Sequence, residues 1–138
     1  MTRRALFLGL LLAVPSWAAA GAVPLVDAGG VKRGVAVMTL SRGLVQLKIA
    51  GLPPLPAATG TATDAFTATV YKAYLSSSAD AGVEIFLTDL YPSTKQRAAR
   101  RVALGGDASH MGLDRVSVTA FSSDGQKSLD VLTGSFTP

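Results

Sequence analysis

The chain has 138 residues, is 49% hydrophobic, and carries a formal net charge of +4 with one histidine and no cysteine. The missing cysteines exclude disulfides, thiolate metal sites, a lipid-bearing cysteine and a cysteine nucleophile. Setting aside Arg3 and Arg4 of the N-terminal segment lowers the charge from +4 to +2, which gives no footprint for nucleic acid.

Residues 1–20 have the order of a signal peptide: Arg3 and Arg4, an apolar run over 5–14, a break at Pro15 and Ser16, then Ala18-Ala19-Ala20. Cleavage after Ala22 is an alternative. Thr2-Arg3-Arg4 faintly echoes a twin-arginine signal, although the general secretory route fits better. Residues 5–26 approach the length of an uncleaved anchor, but the proline, serine and alanines favour cleavage and no membrane span afterwards. The expected mature part is a single domain of about 118 residues, periplasmic or extracellular. An exported domain without disulfides points to a bacterium.

Residues 21–33, with Pro24 and Gly29-Gly30, read as an extended lead-in to a domain over 34–138. Residues 34–40 form the first clear strand. Its two faces are Val35, Val37 and Thr39 against Ala36, Met38 and Leu40. A turn at Ser41-Arg42-Gly43 leads into 44–50, where Val45, Leu47 and Ile49 alternate with Gln46 and Lys48. Residues 53–64 lack periodicity and read as a loop. Strand pattern returns over 66–75 and again over 83–88, where Val83, Ile85 and Leu87 alternate with Glu84, Phe86 and Thr88. Residues 95–99 fit one helical turn and 100–104 a short strand, while a helix over 98–104 reads nearly as well. Strands over 114–121 and 129–136 flank Asp124-Gly125, a strong hairpin signal. The whole is predicted to be an all-β, antiparallel, immunoglobulin-like β-sandwich of about seven strands.

After the strand over 44–50 comes Gly51-Leu52-Pro53-Pro54-Leu55-Pro56, whose prolines cannot donate to a sheet and must end the pairing. With Tyr71-Lys72-Ala73-Tyr74-Leu75 it resembles the extracytoplasmic C-terminal domain of anti-sigma-K factors, which typically carry a Gly-Leu-Pro-Pro-Leu-Pro corner and then a Tyr-x-x-Trp-Leu strand. The resemblance runs over roughly 34–136. This chain has Tyr74 where the family has tryptophan, about ten extra residues before the strand, and no sigma-binding region. The resemblance implies an envelope sandwich used for sensing or protein contact, without sigma-factor inhibition. Copper/zinc superoxide dismutases also carry Gly-Leu-Pro-Pro, but there a His-x-His follows; here none does, which excludes that metal site.

Candidate chemistry is sparse. His110 stands near Asp107 and Ser109, but sequence neighbours rarely form a triad. His110, Met111 and Met38 are a weak set for copper. Asp89 with Asp114 is the one pair of carboxylates considered for glycoside hydrolysis. Gly29-Gly30 and Gly105-Gly106 are turn glycines, and no phosphate-binding loop or calcium loop occurs. The single local charge feature is the basic run Lys95, Arg97, Arg100 and Arg101. It is either a solvated loop or a docking patch for an anionic partner. The sequence therefore leads to an exported, non-enzymatic binding, sensing or structural module of the cell envelope, needing no cofactor. Its expected partner is another envelope protein or an anionic surface component. The competing expectations are an envelope hydrolase and a surface-assembly subunit whose lead-in adds a strand to a neighbour.

Overall fold

The computed structural model describes residues 22–39, 43–61, 63–80, 82–104 and 112–136. The segment read as a signal peptide, and Asp107, Ser109, His110 and Met111, lie outside them. The described residues hold ten β-strands and no helix: β1 (Ala22–Val26), β2 (Lys32–Thr39), β3 (Leu44–Ala50), β4 (Ala57–Thr59), β5 (Phe66–Ala68), β6 (Val70–Ser76), β7 (Glu84–Leu90), β8 (Arg97–Ala103), β9 (Arg115–Phe121) and β10 (Ser128–Ser135). The all-β antiparallel expectation holds, with three more strands than the sequence pattern suggests. Residues 21–33 supply β1, the proline-rich loop supplies β4, and the run 66–75 is two strands, β5 and β6, divided at Thr69. The helical alternatives over 95–104 give way to β8.

Eight strands form one antiparallel sheet in the order β7-β6-β9-β10-β1-β2-β3-β8, while β4 and β5 pair separately. The eight divide into two four-stranded halves that meet at β10 and β1. That junction is thin: only Val26 and Thr133 pair across it. Pro24 has no N–H to offer there. Gly134 lets the strands close up, because a Cβ on it would stand 2.6 Å from the Pro24 carbonyl oxygen. The halves share one core. Leu25, Ala36, Met38, Val45, Leu47 and Ile49 come from one half and Tyr71, Ala73, Leu75, Leu90, Val116, Val118 and Leu132 from the other. Each such fully buried side chain of leucine or valine size contributes about 1.5–3 kcal/mol.

Alternation decides which residues enter that core, and bulges decide where alternation fails. In β3, Val45, Leu47 and Ile49 point inward and Lys48 outward, as the period-two pattern requires. In β7 the pairing with β6 slips between Ala73 and Tyr74, leaving Leu87 without an opposite residue. Both Leu87 and Thr88 are therefore buried, so Thr88 does not share the outward face of Glu84 and Phe86. The break at Thr69 likewise lets Ala68 and Tyr71 both be buried.

The proline corner is tied down from two sides. The Tyr71 hydroxyl, carried into the core by β6, donates to the Pro53 carbonyl at 2.8 Å. The N–H groups of Gly51 and Leu52 donate to the Gln96 carbonyl at 2.8 and 3.2 Å. Gln96 precedes β8 with φ of 64°, the one non-glycine residue in the left-handed region among those described. Ser93 completes this turn: its hydroxyl accepts from the N–H groups of Lys95 and Arg97 at 3.2 and 3.3 Å. The start of β8 is thus fixed against the end of β3.

Candidate anion-binding face

Strand β8 holds three of the four residues of the basic run, and its register on β3 separates them. Arg97 lies opposite Ala50, Ala99 opposite Lys48, and Arg101 opposite Gln46. These share the outer face with Lys48. Arg100 lies opposite Leu47, which faces the core. Spacing of two and four along a strand keeps Arg97 and Arg101 together, and spacing of three sends Arg100 to the other side. Lys95 sits in the turn before β8. The four are therefore not one patch, and the outer face gains cations that the basic run did not include.

Lys32 and Arg33 at the start of β2, Lys48 of β3 and Arg97 of β8 line a shallow groove of about 590 Å³, floored by Gly34, Ala50 and Gly51. No carboxylate lines it. Arg33 is partly neutralised by Asp27, with Nε 3.1 Å from Oδ2. The Asp27 carboxyl is held below its ordinary pKa by the Val31 N–H, then by the Arg33 guanidinium. Arg101 is oriented by Gln46, whose amide oxygen, turned toward it, accepts from Nε and Nη2, both at 3.0 Å. That pairing leaves other guanidinium N–H groups of Arg101 for an anion, in the planar arrangement that suits carboxylates and phosphates. Arg97, Lys48 and Arg101 are exposed.

The sequence named Arg97 and Arg101 but missed Lys32, Arg33 and Lys48, because strand pairing rather than chain proximity gathers them. The one available signal was the outward position of Lys48 beside Gln46. Arg100 instead reaches across the gap between β8 and β7, the two ends of the sheet, where its Nε donates to Thr88 Oγ1 at 3.2 Å.

The other candidates do not assemble. Met38 is buried in the core, so its thioether is not available to a surface copper site. Asp89 is opposite Lys72 on β6, and Asp114 adjoins Arg115, which lies beyond Ser76 of the same strand. The interval from Lys72 to Ser76 alone is roughly 13 Å, too far for two carboxylates acting on one glycosidic bond. Asp114 is already engaged, accepting from the N–H and hydroxyl of Ser78 at 2.8 and 2.5 Å. Tyr71 is core and Tyr74 lies on the outer face of β6, edge-on to Phe86 at 5.7 Å. Lys72 stands over the rings of Phe86 and Phe121 at 5.4 and 5.8 Å and 3.9 Å from Asp89, so this cation is locally balanced. No group of three or more His, Cys, Asp or Glu side chains placed to hold a metal ion occurs among the described residues. No helix among them is long and apolar enough to cross a membrane.

Comparison of the chain with protein families, with characterised proteins and with solved structures finds no match.

Proposed function

We propose that the chain is an exported, non-enzymatic β-sandwich of the cell envelope that binds an anionic partner on the outer face of β2, β3 and β8. The observation that carries this reading is the convergence of Lys32, Arg33, Lys48 and Arg97 from three strands on a groove lined by no carboxylate. Like charges gathered on one sheet face repel one another, and an acidic partner relieves that repulsion while being drawn in by the local field. The non-enzymatic part rests on how the carboxylates are used: Asp27, Asp114 and Asp124 each accept hydrogen bonds from the turns around them. The envelope location rests on the signal-like N-terminal segment and on the corner at residues 51–56 that resembles the anti-sigma-K extracytoplasmic domain.

Poly-L-glutamate is the direct probe. The domain should bind it with an affinity that falls steeply as salt rises. Exchanging Lys48, Arg97 and Arg101 together for Gln should weaken binding at least tenfold and flatten the salt dependence. Lys127→Gln, on the turn between β9 and β10, should leave both unchanged. Equal affinity and equal salt dependence in the triple variant would overturn the proposal.

A further inference from the structure

β8 is an edge strand, and the hydrogen bonds at its two ends establish which of its backbone groups are unused. Leu104 N–H donates to the Gly43 carbonyl, and Gly51 N–H to the Gln96 carbonyl. In an antiparallel ladder the bonded pairs recur every second residue. With the observed register, the N–H groups of Ala98, Arg100 and Val102 therefore face β3. Those of Arg97, Ala99, Arg101 and Ala103 face away. Arg97 is taken up by Ser93, whose N–H donates to its carbonyl and whose hydroxyl accepts from its N–H. Ala99, Arg101 and Ala103 have no backbone partner on that outer edge among the described residues.

We propose that this edge takes an acidic, extended peptide of a partner protein as an added antiparallel strand. The inference rests on the anion-binding reading above and names the partner. A free row of alternating N–H and C=O groups is complementary to an extended backbone, and here it lies on the strand that carries Arg97, Arg100 and Arg101. A second copy of the chain is a poor occupant. Antiparallel self-pairing of β8 centred on Ala99 sets Arg97 opposite Arg101, centring on Arg100 sets it opposite itself, and centring on Arg101 does the same there. Like charges directly opposite destabilise a strand pair.

Cross-strand pairing then specifies the peptide. Read in its own N-to-C direction, its residues lie opposite Arg101, Arg100, Ala99, Ala98 and Arg97. The first, second and fifth are acidic. The third, on the outer face beside Ala99, is unrestricted. The fourth, on the core face beside Ala98, is apolar. The acid facing Arg100 replaces its bond to Thr88, a neutral acceptor, with a charge-assisted one.

The test uses a capped peptide containing Glu-Glu-Thr-Val-Glu, titrated into the domain by fluorescence anisotropy. Arg97→Gln with Arg101→Gln should weaken binding at least tenfold. Ala99→Pro removes one outward N–H and no bond to β3, so proline is tolerated there, yet binding should again fall about tenfold. N-methylation of the peptide's third residue, which keeps every charge, should do the same on the unaltered domain. Binding that needs the arginines but ignores both Ala99→Pro and N-methylation would overturn strand addition and leave the anion-binding face standing. Binding indifferent to the arginines as well would overturn both.

Discussion

Tyr71 links the core to the proline corner by one hydrogen bond, to the Pro53 carbonyl. Removing only the hydroxyl, as in Tyr71→Phe, leaves that carbonyl without its partner, and urea unfolding should show a loss of about 1–2 kcal/mol. Burial raises the Tyr71 pKa, so the fold favours the neutral phenol. Its contribution is complete below the unfolded value of about 10 and is lost as pH rises past it. The alkaline loss of stability should accordingly be smaller in Tyr71→Phe. Asp114 works in the opposite sense. The Ser78 hydroxyl, then the Ser78 N–H, hold its carboxyl below the ordinary value. The stability it adds is present above about pH 4 and lost as pH falls through the lowered folded pKa. Asp114→Asn should be less stable than the original at neutral pH, with the difference shrinking toward pH 2 in thermal melts. No such shrinkage would remove Asp114 from the acid response.

The turn before β8 sets where the arginines of that strand point, and it depends on Gln96 in the left-handed region. Glycine adopts that conformation freely, whereas a β-branched residue does so at a cost above 1 kcal/mol or so. Gln96→Gly should therefore melt at or above the original temperature and Gln96→Val clearly below it. Equal melting of the two would mean that the turn takes another form. This element also marks the limit of what the sequence discloses. The inward residues of β3 and β9 were legible because alternation there is unbroken. The split at Thr69 and the bulge at Leu87 were not, since a bulge is a property of two paired strands and appears in neither alone. The same holds for the basic face. Arg97 and Arg101 could be named from their own segment, but Lys32, Arg33 and Lys48 join them only through the β2-β3-β8 ladders. Arg100, three residues from Arg97, could not be assigned to the opposite face until 97–103 was known to be strand rather than helix.

At the scale of the whole molecule, eight strands curl around one core and stop short of closing. β7 and β8 are the ends of the sheet, bridged by the hydrogen bond from Arg100 to Thr88 rather than by a backbone ladder. Edge strands invite further pairing, and charge along an edge restricts what can pair. Three arginines on β8 thus disfavour self-association and keep the edge open to an acidic partner. Every functional statement here depends on β8 being paired on one side only. Amide hydrogen exchange, read residue by residue along β8 in the isolated domain, tests this most directly. The N–H groups of Ala98, Arg100 and Val102 should be protected by β3, and those of Ala99, Arg101 and Ala103 should exchange quickly. Protection of both sets would mean that the edge is already covered and would contradict the account.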